Sequence, residues 1–286
     1  LLGYKNHAHY QLELRMAQTP EKAEAFLKKV WQPGLKRAAE EKAEMQTIIN
    51  SEGEKFDLAG HDWWHYAEKL RAKKYAFDES QVKPYFELNN VLNGAFYVAT
   101  ELFGLSFTPL ADAPKWQQDV KVFEVKGENG EHLGVFLADF YSRDSKRGGA
   151  WMSGFRSASS VGGEVVRPLI TNNLNLTPPA DGDPTLLSFG QVNTLFHEFG
   201  HALHGLMTTA RYERYAGTGG SPRDFTEFPA QFLEHYAAAP EVLPKYALHY
   251  ETGEVIPTKL LKKLQDASTH NQGFKTTEFI AASLLD

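Results

Sequence analysis

The chain of 286 residues contains no cysteine. No disulfide can staple it, and no thiolate can serve as nucleophile or metal ligand. An uninterrupted apolar run of about 18 residues is also missing, which argues against a membrane-spanning helix, and no signal-peptide pattern opens the sequence. Nor is there an excess of positive charge. Lys and Arg number 30 against 36 Asp and Glu, a net charge of −6, and the basic residues are dispersed, which argues against a nucleic-acid partner. The short basic groups at 69–74 and 259–263 fit solvated helix faces. Internal repeats and low-complexity tracts are absent too. These absences lead us to expect a monomeric, cytoplasmic protein without nucleic-acid or membrane partners. The periplasm is the alternative compartment, because the sequence begins at Leu1 rather than Met. With 42% hydrophobic residues, the chain can bury the core of one large domain or two smaller ones.

What is present is the pentapeptide His197-Glu198-Phe199-Gly200-His201, inside a helical pattern over 188–209. Four residues on a helix turn through about 400°, so His197 and His201 project from nearly one face, one turn apart. Two imidazoles so placed can share a Zn²⁺, while Glu198 leans aside, where it can hold the attacking water rather than the metal. Ser188-x-x-Gln191 is a capping-box start. Val192, Leu195, Phe199, Ala202, Leu203 and Leu206 recur at helical spacing as a core-facing stripe. A buried helix with two hydrogen-bonded histidines is the plainer alternative.

A hydrolytic zinc takes three protein ligands and leaves one position open. The metzincin pattern would need a histidine where Met207 stands, so that class is excluded. His204 lies two turns beyond His197 and is expected behind the site or in the core. The acidic candidates are Glu213, Glu227 and Glu234. Glu227 is favoured because it opens a second helical segment after the flexible turn at 217–222; a helix-terminal carboxylate favoured by the dipole is the equal alternative. Asp224 is a candidate for orienting a ligand imidazole, or for a helix cap.

Residues 1–117 read as helical. Thr19-Pro20-Glu21 caps a long charged helix running to about residue 50, and 62–74 and 84–103 are further amphipathic helices, the last ended near Gly104. Their aromatic residues (Trp63, Trp64, Tyr66, Tyr85, Phe86, Phe96, Tyr97) are expected in the core. From residue 115 the period changes. Segments 120–125 and 133–140 flank Gly127-Glu-Asn-Gly130, a hairpin signature, and 149–155 and 165–171 read as two more strands of a small antiparallel sheet. Residues 172–184 read as the loop before the metal helix. Helices are expected at 229–239, 241–248, 258–268 and 276–286. Gly148-Gly149-Ala150-Trp151 would let a peptide backbone approach closely as an added strand beside the metal; an ordinary sheet edge is the alternative.

Several motifs together carry a resemblance: Phe196-His-Glu-Phe-Gly-His-Ala-Leu-His-Gly-Leu206, Pro222-Arg-Asp-Phe-Thr-Glu-Phe-Pro-Ala-Gln231, Glu234-His235-Tyr236, Leu1-Leu-Gly-Tyr4, Met16-Ala-Gln-Thr-Pro20, Lys83-Pro-Tyr-Phe-Glu-Leu-Asn89, Asp144-Ser-Lys-Arg-Gly-Gly-Ala-Trp-Met152 and Asn271-Gln-Gly-Phe274. The chain resembles the thimet oligopeptidase family of zinc peptidases, and within it the bacterial dipeptidyl carboxypeptidase branch. The resemblance implies one Zn²⁺ held by His197, His201 and Glu227, with Glu198 as general base, and hydrolysis of short peptides with release of C-terminal dipeptides. An endo-acting oligopeptidase, or a catalytically incomplete peptide-binding fragment, are the alternatives. The implied fold is predominantly α with a small antiparallel sheet, a zincin-like catalytic domain. Its parts would be a helical segment 1–117 and a catalytic region 118–286, with the sheet at 118–172 and the metal-binding helices at 188–286. Family members are longer on both sides, and a Gly/Tyr-rich segment supplies His and Tyr side chains beyond the point where this chain stops. An internal fragment, truncated at the C-terminus, is therefore expected.

Overall fold

A computed structural model describes residues 2–76 and 78–285. Leu1, which opens the Leu1–Tyr4 motif, and Asp286, with which the expected last helix ends, lie outside the described residues. In chain order the helices are α1 (His7–Leu12), α2 (Pro20–Ser51), α3 (Trp63–Tyr75), α4 (Leu88–Phe103), α5 (Phe189–Leu206), α6 (Gly217–Gly220), α7 (Phe228–Ala237), α8 (Leu243–Tyr246), α9 (Thr258–Ala267) and α10 (Gln272–Leu285). The strands are β1 (Ser106–Pro109), β2 (Lys121–Lys126), β3 (His132–Tyr141), β4 (Trp151–Arg156) and β5 (Leu169–Leu176). Among the described residues no helix is long and apolar enough to cross a membrane.

The chain forms two compact units, one of Leu1–Glu79 with Pro257–Asp286 and one of Ser80–Ile256. This differs from the division expected at 117/118, and side-chain chemistry gives the reason. In the first unit, α2 begins as its sequence predicts, with Pro20 in the first turn and Thr19 Oγ1 accepting the Lys22 amide. Its buried Glu41 then accepts the amides of Gly273 and Phe274 at 3.0 and 2.9 Å, satisfying free N–H groups at the start of α10. A Cβ on Gly273 would lie 2.4 Å from the Ala38 nitrogen, so only glycine permits this approach. Trp63 stacks on Phe274 and donates to Asn271 Oδ1. The C-terminal helix therefore belongs with the N-terminal ones. Of the aromatic residues expected in the core, Trp63, Tyr66, Phe86 and Phe96 are buried, whereas Trp64 is exposed.

The second unit is built on a five-stranded sheet of order β1-β2-β3-β5-β4. The expected hairpin is present as β2 and β3, antiparallel. The sheet is not purely antiparallel, however: β3 and β5 pair parallel, and β4 pairs antiparallel on the outer side of β5. β5 is buried along nearly its whole length while the second half of β4 is exposed, so the buried strand takes the interior position and the exposed one the edge. Residues 172–176, read as loop because of their asparagines, are strand. Asn172 Nδ2 donates to the Glu198 carbonyl and Asn173 Nδ2 to the Trp151 carbonyl, so polar side chains that favour loops are here satisfied inside the sheet. β1 was not legible in the sequence, because it is four residues long and ends on proline at the margin of the helical region. α4, which ends at Gly104 in the left-handed region, places Phe96 against Phe107, Phe123, Phe136 and Phe199. That cluster joins α4 to the sheet rather than to the helices before it.

Candidate metal centre

α5 starts as the capping box predicts: Ser188 Oγ accepts the Gln191 amide at 3.2 Å, and Gln191 Oε1 accepts the Ser188 amide at 2.8 Å. The whole apolar stripe named from the sequence is buried. Phe199, inside the metal motif, rests on Phe96, Phe107 and Phe136 with ring centroids 5.4–5.6 Å apart. The helix is thereby anchored through its core face, and Asn193, His197 and His201, at i, i+4 and i+8, share another. The two imidazoles lie 4.9 Å apart, nearly perpendicular.

The approach of α7 depends on Gly200. A Cβ there would stand 2.5 Å from the Pro229 carbonyl oxygen and 2.6 Å from the Ala230 Cα, and backbone atoms cannot swing aside. Gly200→Ala is therefore expected to push α7 away and destabilise the chain by about 1–3 kcal/mol. Urea unfolding measures this, and an unchanged midpoint would show that the helices tolerate the methyl group. The turn at 217–222, expected to be flexible, contains a helical turn, α6. Gly217, at φ 57°, brings it to the α5 backbone, where an added Cβ would lie 3.1 Å from the Gly205 Cα.

This packing brings Glu227 to the histidines. It occupies the N-cap position of α7, yet its side chain makes no capping hydrogen bond. Glu227 Oε2 lies 3.2 Å from His197 Nε2 and 3.4 Å from His201 Nε2. These three side chains each offer a ligand atom within 4.8 Å of the others. The other acidic candidates are placed elsewhere. Glu213 lines a neighbouring cavity. Glu234 Oε1 lies 2.6 Å from His197 Nδ1, and its Oε2 accepts from Asn193 Nδ2 at 2.8 Å. The carboxylate behind His197 is thus Glu234. With Nδ1–H donated to Glu234, the lone pair of His197 is on Nε2 and faces Glu227 and His201. Sequence reasoning missed this function of Glu234, although a signal existed: Glu227 and Glu234 are seven residues apart, two turns along one face of α7, as Asn193 and His197 are one turn apart on α5.

The donor set fits a zinc ion. Two ligand atoms each about 2.0–2.2 Å from a tetrahedral zinc are separated by about 3.3–3.6 Å, close to the distances from Glu227 to the two imidazoles. Glu198 lies beside this triangle, with 6% of its surface exposed and Oε2 buried without a hydrogen-bond partner. Burial pushes its carboxyl up to about 7; His197 opposes the rise and Glu227 adds to it. Burial also lowers the pKa of His201 and of His204, which favours neutral imidazoles. His204 stands apart from the triangle, with Nε2 3.4 Å from Ser221 Oγ. Behind Glu198, Asn172 holds its carbonyl at 2.7 Å, fastening α5 to β5.

His197, Glu198, His201 and Glu227 line a cavity of about 300 Å³ together with Ala150, Trp151 and Met152, at the start of the edge strand β4, and with Thr218 and Thr226. Asn175 Nδ2 donates to the carbonyls of Arg147 and Gly149, fixing the backbone that leads into β4.

The chain matches the family model described as Peptidase family M3 over residues 1–286. It is 44% identical over 287 residues to the dipeptidyl carboxypeptidase of Salmonella typhimurium, an alignment that covers 100% of this chain and 42% of that protein. Identity to oligopeptidase A of Escherichia coli is 34%, again over 100% of this chain and 42% of the relative. For the organellar oligopeptidase A of Arabidopsis thaliana it is 38%, over 96% of this chain and 35% of the relative. The chain therefore spans about two fifths of the length of these relatives. Over its whole length it belongs to Peptidase family M3.

Proposed function

We propose that this chain carries the metal-binding half of a zinc-dependent peptidase that hydrolyses short peptides and releases C-terminal dipeptides. The observation that carries the reading is the convergence of two imidazoles and a carboxylate from separate helices beside a buried glutamate without a partner. His197, His201 and Glu227 are the zinc ligands in this reading, and Glu234 keeps His197 in the ligating tautomer. When bound, zinc supplies Lewis acidity that acidifies water and polarises a carbonyl oxygen. Glu198 accepts the proton of the attacking water on its buried carboxylate and returns it to the leaving amine. β4 offers its free edge as a template for an extended peptide, because backbone hydrogen bonds fix such a substrate without reading its side chains. The zincin-like assignment of the second unit rests on the same geometry.

Release of dipeptides is supported by the 44% identity to a dipeptidyl carboxypeptidase. The 34–38% identities to oligopeptidases A favour, as a second reading, cleavage at internal bonds. A C-terminally amidated peptide separates the two. A dipeptide-releasing enzyme is expected to cut the free-acid peptide and leave the amide intact, as read by mass spectrometry of the products. Equal cleavage of both would select the internal-cutting reading.

A further inference from the structure

Glu198 is held differently from the histidines beside it. The ring of His197 is fixed through Nδ1 by Glu234, whereas Glu198 Oε2 is buried without a hydrogen-bond partner. The carboxylate is therefore aimed by the backbone that carries it. A rotation of α5 by about 10° moves a side-chain tip, about 5–6 Å from the helix axis, by about 1 Å. Imidazoles can follow such a turn by adjusting their side-chain torsions while a metal holds them; an untethered carboxylate moves with the helix. What fixes the rotation of α5 thus matters most to Glu198. Two contacts with β5 are in a position to do so. Ile170 and Asn172 lie on one face of β5, and Glu198 and Gly205, seven residues apart, lie on one face of α5. A Cβ added at Gly205 would stand 2.9 Å from Ile170 Cδ1, an apolar contact without preferred direction. The other contact is directional: Asn172 Nδ2 donates to the Glu198 carbonyl at 2.7 Å.

We infer that Asn172 is a positioning residue for Glu198: by pinning the Glu198 carbonyl to β5 it sets the rotation of α5, and with it the place of the carboxylate beside the three converging donors. The inference rests on the peptidase reading above. Asn172 is 2% exposed, in a strand whose Ile170, Leu174 and Leu176 are buried and apolar. A carboxamide there costs desolvation that an aliphatic side chain would not. Nor does the carbonyl require it, because a mid-helix carbonyl accepts the amide four residues on. The asparagine therefore serves to place the helix, not to satisfy it. In the ladder Asn172 stands opposite Met152 of β4, which lines the same cavity as Glu198. One residue of β5 thus ties the turn carrying Glu198 to the strand that borders its cavity.

The test is a double-mutant cycle between residues 172 and 198. Asn172→Val removes the donor and keeps a side chain suited to a strand. Asn172→Thr, whose hydroxyl ends one bond short of the amide nitrogen, is the second variant should the first not fold. Each is made with Glu198 intact and with Glu198→Gln, and urea unfolding and zinc stoichiometry identify the folded, loaded chains. The first readout is calorimetric binding of acetohydroxamic acid to the zinc-loaded chain. This small probe binds zinc as an anion after giving its proton to an adjoining base, so its affinity reports where the Glu198 carboxylate stands. Asn172→Val is expected to weaken it about tenfold, the worth of one hydrogen bond to a charged group, with zinc stoichiometry unchanged. In the Glu198→Gln background the same change is expected to stay within about twofold. The second readout is peptide hydrolysis, where kcat should fall about 10–100-fold with KM within about twofold, as a misplaced base requires. Unchanged probe affinity in a folded, loaded variant overturns the inference, and so does an equal loss in both backgrounds, which would make Asn172 a support of the metal cradle as a whole. The peptidase reading fails separately: Glu198→Gln alone would then leave probe affinity and hydrolysis unchanged, removing the base and this inference with it.

Discussion

Replacing Glu198 by glutamine is expected to lower peptide hydrolysis by about 10²–10⁴-fold, the usual contribution of a positioned general base, while metal content stays unchanged. The substitution keeps the shape of a side chain that is 6% exposed and is not one of the three converging donors. It removes only the capacity to take a proton. The amide also has no obligatory partner to lose, since Glu198 Oε2 is unpartnered. Zinc stoichiometry by elemental analysis and turnover of a fluorogenic peptide decide the matter together. Turnover within about tenfold of the unsubstituted chain removes Glu198 from the base role. Loss of zinc along with turnover would make it part of the metal cradle instead.

Helix α5 was legible in the sequence because everything that defines it is local. The Ser188–Gln191 box sets its start, the apolar stripe sets its buried face, and the four-residue spacing puts both imidazoles on another face. The β2–β3 hairpin was legible for the same reason: a glycine-flanked turn joins alternating segments. Glu227 was one of three acidic candidates by spacing, and proximity to the histidines depends on Gly200 permitting close helix contact, which no periodicity records. The parallel pairing of β3 with β5 was hidden because periodicity reports faces, not partners. Asn172, Asn173 and Asn175 misled the reading for a physical reason: asparagine favours loops by bonding to nearby backbone, and here the same bonds reach across to α5, β4 and the segment before it. The division of the chain into units was likewise set by remote pairs, Glu41 with the start of α10 and Phe96 with Phe199, which sequence distance conceals.

Asp139→Ala is expected to destabilise the chain by about 3–5 kcal/mol, the cost of leaving a buried charge without its partner. Asp139 lies on β3 beside Asn173 and is 1% exposed. Its carboxylate accepts both guanidinium nitrogens of Arg143 at 2.8 Å, Lys146 Nζ at 2.9 Å and Trp116 Nε1 at 2.9 Å. The Lys146 side chain is itself 2% exposed and also donates to the carbonyls of Asp139 and Tyr141, so removing the carboxylate leaves a buried ammonium without its counter-charge. Burial alone would raise the Asp139 pKa, but the hydrogen bonds from Arg143, Lys146 and Trp116 outweigh it and hold the carboxyl at about 2. An unfolded aspartate titrates near 3.9. The stabilisation from this lowered pKa is therefore complete above about pH 4 and is lost as pH falls through about 2. Urea unfolding of the two proteins should show a constant difference between pH 5 and 7 that shrinks on acidification below about pH 4; a difference under about 1 kcal/mol at pH 7 would mean that Lys146 finds another partner. The consequence reaches the cleft, because Arg143 and Lys146 lie on the segment between β3 and β4, and Arg147, next along it, stacks on Trp151 at 4.3 Å. A buried ion pair thus fixes the backbone from which the edge strand emerges beside His197 and His201.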